Sequence, residues 1–364
     1  MFVISTRNFP PEVGGMQNLM GGLANALTDH GPVKVFADKS EKFENYDKIS
    51  KLDIERFGGI KLFRKYRKAN RILEFIKDNK NIRSIFFDHW KSLEKVNSEI
   101  IENIQSFCLI HSKEINFKKG SFSNKRIIKA FKNVDKIVAN SMFTKNLAVE
   151  IGLDESKIVV INPGVFPISD FSKPVIKEAE NILKDKSPRL ITVSRFDKRK
   201  NHEKIIMALR NLKQIYPKII YTCIGYGDEE ENIKSLVKEL QLDDQVTFLK
   251  NISQDLKNAL VYKSNIFVMP SIVHKTSVEG FGIAYVEAAQ LGVPSIGGKD
   301  GGASDAIKHN ETGIICDGNS LEDIYSSIDL IIKNNSYLEM GKKAKEYSSK
   351  FDWGNIIKEY LRIL

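Results

Sequence analysis

The stretch EGFGIAYVEAAQLGVPSIGGKDGGASD, residues 279–305, contains the pattern that decides the fold. A Gly-rich loop comes first, an apolar helical run begins near Ile283, and a short β-rich run follows at residues 294–297. Another β-rich run, residues 266–270, precedes the loop. Strand, helix and strand in this order are typical of a parallel sheet covered by helices.

The same alternation of short apolar runs and amphipathic helical stretches continues along the whole chain, and it predicts βαβ units throughout. Residues 163–188 hold four of the ten prolines and form the expected linker between two domains. Each domain has six expected strands. They lie near residues 2–5, 33–37, 84–87, 107–111, 137–140 and 158–161, and near residues 189–194, 219–225, 246–249, 266–270, 294–297 and 313–316.

We therefore predict an α/β protein with two Rossmann-like, doubly wound domains that face each other across a cleft. The length of 364 residues agrees, because it exceeds what one hydrophobic core usually organises. Ligands of open parallel sheets bind beyond the carboxyl ends of the strands. The residues that directly follow each strand are thus the candidates for a functional site.

The composition, 42% hydrophobic and 28% charged, is that of a folded globular protein and excludes disorder and a disulfide scaffold. The three cysteines form no CxxC pair, so we expect reduced thiols. No long uncharged apolar run is present, and the first residues lead directly into a strand pattern. We expect a cytoplasmic protein without a spanning helix or a secretion signal.

The net charge of +10 is unevenly distributed. Residues 1–180 carry 30 basic and 22 acidic side chains, a balance of +8, whereas the remainder carries 26 and 24, a balance of +2. A basic first half indicates an anionic partner, either nucleic acid or a lipid surface.

Two loops have residues suited to phosphate. Gly14 and Gly15 precede a helical run, whose first amides and positive dipole end can bind an anion, although a plain turn would also use them. Arg195 and Lys200 flank a turn after a strand and could neutralise a diphosphate, or form a solvated basic loop.

A third loop adds two carboxylates. Glu279 lies before the helix that begins near Ile283, and Glu287 lies about one turn into it. Carboxylates accept hydrogen bonds from sugar hydroxyls, and the helix start suits phosphate oxygens. With the second Gly-rich turn, Gly301 and Gly302, this pattern favours a nucleotide-sugar site over simple dipole complementarity.

These motifs resemble retaining glycosyltransferases of the GT-B fold, in the group that includes bacterial phosphatidylinositol mannosyltransferases and glucosyl-lipid synthases. The segments FPPEVGGMQ, IHSKEI, SRFDKRK and EGFGIAYVE match, and the resemblance covers essentially the whole chain. It implies an acceptor and membrane domain at residues 1–165 and a nucleotide-sugar domain at residues 166–345. Residues 346–364 would be a helix that crosses back to the first domain.

The resemblance also implies roles for individual residues. His111 would be the active-site histidine, Arg195 and Lys200 would bind the diphosphate, and Glu279 would contact the transferred sugar. These four are the expected catalytic residues. The expected donor-binding residues are Gly14, Gly15, Arg195, Lys200, Lys250, Ile252, Glu279, Gly280, Phe281, Gly282, Ile283 and Glu287.

The chain departs from the family pattern in three places. Ser112 follows His111 where glycine is usual, and Lys250 replaces a glycine in the loop beside the base. The frequent Asn-Gly-Val-Asp between the domains reads Pro-Gly-Val-Phe, ending at Phe166. The last two departures bear on base specificity and hinge geometry, not on the reaction class.

The implied reaction transfers a hexose with retention at the anomeric carbon, without a cofactor or a metal ion. No D-x-D motif occurs, so basic side chains and helix dipoles would take the place of Mg²⁺ or Mn²⁺. UDP-glucose or a related UDP-sugar is the expected donor, with GDP-mannose next.

Two basic segments with aromatic residues account for the charge of the first half. Residues 56–73 contain seven Lys or Arg and no acid, and residues 113–136 contain eight. Such segments fit an anionic membrane surface, and solvated helix faces are the alternative. We expect a peripheral protein on the inner face of the cell membrane. Its expected membrane side contains Arg64, Lys65, Arg67, Lys68, Lys118, Lys119, Lys125 and Arg126.

The expected acceptor is therefore a membrane lipid, such as diacylglycerol or a phospholipid. Other possibilities stay open: a glycosyltransferase of polysaccharide or lipid-linked oligosaccharide assembly, a nucleotide-sugar 2-epimerase, or a non-enzymatic membrane module. Nucleic acid is not expected as a partner, because no recognised binding module occurs. The sequence gives no indication of the oligomeric state.

Overall fold

The computed structural model describes residues 1–96 and 101–364, which form two compact units. The first unit contains Met1–Phe166 together with Phe351–Leu364, and the second is Pro167–Lys350. Each unit is an α/β domain with one parallel sheet, which confirms the predicted fold class.

In the first unit the described residues form a seven-stranded sheet of order β3-β2-β1-β4-β5-β6-β7, with every neighbouring pair parallel. The order reverses between β1 and β4, which is the switch point where open sheets bind ligands. The strands are β1 Phe2–Thr6, β2 Val33–Asp38, β3 Asp53–Phe57, β4 Ser84–Phe87, β5 Gln105–Ile110, β6 Lys136–Ala139 and β7 Ile158–Val160.

Strand β3 is one more than the six strands predicted for this domain. It pairs only with β2, at the edge of the sheet, and Asp53 is exposed while only Phe57 is fully buried. Because an edge strand tolerates charged residues, DIERF lacks the continuous apolar run by which the other strands were recognised.

The second unit has the six predicted strands, again all parallel, in the order β10-β9-β8-β11-β12-β13. Its switch point lies between β8 and β11. The strands are β8 Arg189–Val193, β9 Ile220–Ile224, β10 Val246–Leu249, β11 Ile266–Met269, β12 Ser295–Gly298 and β13 Gly313–Cys316.

Helices cover both faces of each sheet and bury its apolar side chains. The described helices of the first unit are Gly15–Thr28, Phe43–Ile49, Lys61–Asp78, Trp90–Leu93, Phe122–Phe131, Met142–Glu150 and Trp353–Arg362. Those of the second unit are Lys173–Leu183, His202–Ile215, Glu230–Glu239, Gln254–Tyr262, Ile283–Gln290, Ala303–Ala306, Leu321–Lys333 and Tyr337–Ser348.

The terminal helix, Trp353–Arg362, belongs to the first unit and packs on the helix Gly15–Thr28. Trp353 is buried, and a Cβ added at Gly22 or Gly164 would lie 2.2 or 2.5 Å from its ring. The indole therefore occupies space that only glycine leaves open on both sides. None of the described helices is long and apolar enough to cross a membrane.

Candidate active site

The centre of the site in the second unit is an ion-pair cluster between the loops that follow β8 and β11. Lys200 Nζ and Arg199 Nη1 both donate to Oε2 of Glu279, the arginine at 2.6 Å. The side chains of Lys200 and Glu279 are 11% and 13% exposed. Two predicted residues thus meet directly, joined by Arg199, which was not predicted.

Electrostatics keep this cluster charged. Burial alone would raise the pKa of Glu279, but the positive charges of Lys200 and Arg199 outweigh it and lower that pKa to about 2. Burial and the charge of Arg199 lower the pKa of Lys200, and Glu279 partly offsets both. Asp197 also lies 3.6 Å from Arg199 and 3.5 Å from Arg195, so three cations face two carboxylates, and the net positive charge at the carboxyl ends of the strands suits an anion.

The turn that carries the cations is fixed by hydrogen bonds. The Asp197 carboxylate accepts from the backbone N–H of Lys200 at 3.3 Å, and Ile272 N–H donates to the carbonyl of Arg199 at 2.9 Å. Asn201, in the left-handed region at φ 63°, donates its amide to the carbonyls of Pro270 at 2.9 Å and Gly318 at 2.8 Å. These bonds hold the turn against the end of β11.

Arg195 lies at the surface of the same turn. Its side chain is 68% exposed and its nearest ion-pair partner is Asp197, at 3.5 Å. The structure therefore places Arg195 near Lys200 along the chain, but not within the buried cluster. The sequence did not single out Arg199, because residues 198–200 are three adjacent basic residues, KRK.

His202, directly after this turn, has a structural role. Its ring contacts Phe196 edge to face at 4.9 Å, and its Nε2 lies 3.4 Å from Ser194 Oγ. Burial, with the nearby Lys200 charge, lowers the pKa of His202 to about 4, so its imidazole is neutral at pH 7.

The helix Ile283–Gln290 begins at the end of the loop that contains Glu279, as the sequence indicates. Gly282 caps it in the left-handed region at φ 91°, where a Cβ would lie 2.4 Å from the Tyr285 ring. The Tyr285 hydroxyl donates to the carbonyl of Met269 at 2.6 Å, which ties the helix to the end of β11. The first amides of such a helix have no acceptor within it.

The second Gly-rich turn, which follows β12, contacts the backbone of Glu279. Gly302 N–H donates to the Glu279 carbonyl at 2.8 Å, and Glu279 and Gly301 form a parallel bridge. Gly301 has φ 135°, and a Cβ there would lie 2.5 Å from the Glu279 carbonyl oxygen. Both the dihedral and the close approach require glycine at this position.

The remaining predicted donor residues of the second unit differ in their exposure and in their partners. Glu287 accepts from Lys257 Nζ at 3.3 Å, a partner that was not predicted because it lies on a separate helix, Gln254–Tyr262. Lys250 is 60% exposed and lies 3.6 Å from Glu230. Ile252 is half-buried, and Phe281 is buried beside Gly280.

In the first unit, Gly14 and Gly15 lie at the start of the helix Gly15–Thr28, as expected. Gly14 has extended backbone, and Asn18 N–H donates to its carbonyl at 2.9 Å. A Cβ at Gly14 would lie 2.5 Å from the Gln17 side chain.

His111 directly follows β5. Its backbone N–H donates to Glu114 Oε1 at 2.5 Å, and its ring Nε2 lies 3.2 Å from the Asp88 carbonyl oxygen. Because a carbonyl can only accept, His111 Nε2 donates this hydrogen bond. Ser112 has φ 85°, a conformation that suits the glycine usual in the family, and its hydroxyl lies 2.5 Å from Thr144 Oγ1.

The basic segments differ in part from the prediction. Lys68, expected on the exposed basic face, is buried, and its Nζ donates to the Thr6 carbonyl and to Asp38 Oδ1, both at 2.7 Å. Arg64 is only 19% exposed and lies 3.3 Å from the same carboxylate. The prediction that these two face outward is wrong, because both pair with the half-buried carboxylate of Asp38.

The rest of the expected membrane side is accessible or half-accessible. Arg126 forms a two-bond pair with Glu94, at 2.8 and 2.9 Å. Three aromatic side chains beside these residues are exposed: Phe63 at 61%, Tyr66 at 46% and Phe122 at 78%. The side chains of Arg67, Lys118, Lys119 and Lys125 are exposed, and Lys65 is half-buried.

Within the described part of the chain, no three His, Cys, Asp or Glu side chains are grouped so that they could hold a metal ion. Cys108, Cys223 and Cys316 are free and buried.

Comparisons with known proteins agree with this architecture. Residues 13–167 match the family described as Glycosyltransferase Family 4, and residues 175–351 match Glycosyl transferases group 1. A GDP-mannose-dependent alpha-(1-6)-phosphatidylinositol monomannoside mannosyltransferase of Mycobacterium tuberculosis is 22% identical over 97% of this chain and 95% of its own length.

Solved structures show the same fold. HepE of Anabaena in complex with UDP has a TM-score of 0.83 and 17% identity, covering all of both chains. Its complex with UDP-glucose has a TM-score of 0.82 and 18% identity, again over both whole chains.

Proposed function

The chain belongs to the GT-B glycosyltransferases, its first unit to family 4 and its second to group 1, and we propose that it transfers a hexose with retention from a nucleotide diphosphate sugar to a membrane lipid. The observation that carries the proposal is the cluster of Arg199, Lys200 and Glu279. Counted with Arg195 and Asp197, the cluster keeps one positive charge in excess where a diphosphate would be bound, and the Glu279 carboxylate is available to sugar hydroxyls.

The proposed chemistry is electrostatic. As the bond between the sugar and the diphosphate breaks, negative charge grows on the phosphate, and Lys200 with Arg199 and Arg195 stabilises it. No metal ion is needed in this scheme, so turnover in excess chelator should equal turnover without it. Loss of activity in chelator that added Mg²⁺ or Mn²⁺ restores would contradict metal-independent transfer.

Retention follows if the leaving phosphate itself deprotonates the acceptor on the face from which it departs. The low pKa of Glu279, lowered by Lys200 and Arg199 against the effect of burial, makes that carboxylate a weak base. It is better suited to hydrogen-bond the sugar than to take a proton. Proton NMR of the product should show the anomeric configuration of the donor, and an inverted product would contradict the proposal.

The donor is proposed to be a UDP-glucose type of sugar or GDP-mannose. The mycobacterial relative is GDP-mannose-dependent by name, and HepE was solved with UDP-glucose. A thermal-shift screen against UDP-glucose, GDP-mannose and ADP-glucose separates these, because a ligand that binds only the folded chain raises its Tm. If none of them raises the Tm, the donor assignment fails.

The acceptor is proposed to be a lipid, with the chain peripheral on the inner face of the cell membrane. Exposed Phe63, Tyr66 and Phe122 near basic side chains support this assignment. Lys65 and Lys95 both lie over the Tyr66 ring, at 5.3 and 5.2 Å. Aromatic and cationic side chains at one surface are favourable at an anionic lipid interface. Transfer to a soluble glycan, with none to lipid, would contradict it.

A further inference from the structure

The switch point of the first sheet brings together residues that the proposed donor chemistry does not use. Arg7 directly follows β1, and Asp88 and His89 directly follow β4, its neighbour in the sheet. His111 follows β5, the next strand. Parallel strands end at one edge, so these side chains share the crevice in which open sheets bind ligands.

Hydrogen bonds hold this group in place. Asp88 is fully buried, and its Oδ2 accepts from Arg7 N–H at 2.7 Å and from Thr6 Oγ1 at 3.0 Å. Its Oδ1 accepts from Ser92 Oγ at 2.7 Å, and its carbonyl accepts from His111 Nε2. Both carboxylate oxygens are therefore occupied by neutral donors, and among the described residues Asp88 forms no ion pair with a cation.

Three of the four cations near this group have no acidic partner among the described residues. Across residues 1–96 and 101–364, no ion pair or side-chain hydrogen bond is found for the charged groups of Arg7, Lys61 and Lys91. Lys91 Nζ lies over the Trp90 ring at 5.1 Å, and the Arg126 guanidinium lies over the same ring at 5.1 Å. Among these four cations only Arg126 has a carboxylate, Glu94.

The pKa shifts of Lys91 and His89 agree with an excess of positive charge at this site. Partial desolvation lowers the pKa of Lys91, and the charges of Arg7, Arg126 and Lys61 lower it further while Glu94 opposes them, so each of these three cations is close enough to repel Lys91. Burial, followed by Arg7 and Lys91, lowers the pKa of His89 to about 2. His89 is thus a neutral ring beside the cations, with Nδ1 accepting from Lys91 N–H at 2.9 Å.

Cations that repel one another in a ligand crevice are stabilised when an anion binds between them. We propose that Arg7, Lys61 and Lys91 bind the phosphate ester of the acceptor, so that the acceptor substrate carries phosphate and is neither diacylglycerol nor an uncharged glycan. This inference rests on the proposed function and narrows its acceptor. His111, which shares the crevice, would face the hydroxyl-bearing part of the same molecule.

Phosphate of this kind occurs in a phospholipid headgroup and in a soluble polyol phosphate. Calorimetric titration distinguishes the two sources. One arm uses glycerol phosphate and inositol phosphate against glycerol and inositol. The other arm uses phosphatidylglycerol and phosphatidylinositol in neutral detergent micelles against diacylglycerol in the same micelles.

The test variant is Arg7→Gln with Lys91→Gln, and the control is Lys77→Gln with Lys80→Gln. The control removes the same charge at exposed residues that precede β4, at the amino edge of the sheet. We expect the test variant to bind the phosphate ester about 10- to 100-fold more weakly, as for lost hydrogen bonds to charged groups, and the control to bind normally. Lys61→Gln with Lys91→Gln changes only exposed side chains and should show a comparable loss.

UDP and GDP binding by the same variants distinguishes a failure of the phosphate-ester inference from a failure of the proposed function. Normal nucleotide binding with loss of phosphate-ester binding, in either arm, supports the inference. Normal nucleotide binding with equal phosphate-ester binding in test and control variants overturns the inference alone. Wild-type chain that binds neither nucleotide overturns the proposed function, and this inference with it.

Discussion

Lys200 and Glu279, which lie 79 residues apart in the chain, form a buried ion pair in which the lysine ammonium donates to Oε2 of the carboxylate. The pair joins the loops after β8 and β11, two strands that are neighbours in the sheet. Arg199 donates to the same oxygen, so one acid is shared by two cations. In our proposal this arrangement is ready to receive a diphosphate.

The family resemblance implies that Glu287 binds the ribose hydroxyls of the donor, and a substitution tests this contact. Replacing Glu287 by Ala should weaken UDP or GDP binding about 10- to 100-fold, because a hydrogen bond to a charged group is lost. Glu239→Ala, an exposed acid at the end of another helix of the unit, is the matched control and should bind normally. Calorimetric titration measures both, and equal binding by the two variants would remove Glu287 from the site.

The loops that we propose to bind the donor could be located from the sequence because their motifs are local. Features that depend on contacts between distant elements could not be predicted. Apolar runs revealed twelve strands, but the edge strand β3 has none. The sequence placed Lys68 on the expected membrane side, yet its ammonium group donates to Asp38. Arg199 and Lys257 act through partners on distant segments, Glu279 and Glu287, and no local pattern distinguishes them from neighbouring basic residues.

The unusual backbone at Ser112 gives a prediction on stability. Ser112→Ala and Ser112→Gly both lose the hydrogen bond to Thr144, but only alanine keeps a side chain at φ 85°. We expect the alanine variant to be less stable than the glycine variant by about 1 kcal/mol. Urea unfolding monitored by fluorescence measures the difference, and equal stability would show that the backbone there is unstrained.

Docking of the terminal helix depends on space at Gly22. Gly22→Ala places a methyl group 2.2 Å from Trp353 Nε1, and we expect a loss of about 1–3 kcal/mol from overpacking. Gly354→Ala, on the terminal helix itself, meets no atom within 4 Å and should be neutral or stabilising. Thermal unfolding compares them. A Gly22 variant as stable as the Gly354 variant would contradict the packing described.

Membrane docking is tested with side chains that the structure leaves accessible. A variant with Lys65, Arg67, Lys118 and Lys119 changed to Ser should co-sediment less with anionic vesicles at low salt, since each charge near such a surface contributes about 1 kcal/mol. Arg64 and Lys68 are left unchanged, because both pair with Asp38.

The control for this membrane-docking variant removes four exposed charges from the second unit. If both variants and the wild type sediment equally, or if binding persists at high salt and on neutral vesicles, these basic segments are solvated faces. The four control substitutions are Lys173→Ser, Lys177→Ser, Lys342→Ser and Lys345→Ser.

The most direct test of the donor site is the turnover of the Lys200→Ala variant at saturating nucleotide sugar. Lys198→Ala removes an exposed lysine from the same turn and controls for charge. We expect Lys200→Ala to lower kcat about 100-fold or more, on the scale of one lost donor to a developing anion, and Lys198→Ala to retain it. A folded Lys200→Ala variant with near wild-type kcat would contradict the assignment of this cluster to the diphosphate.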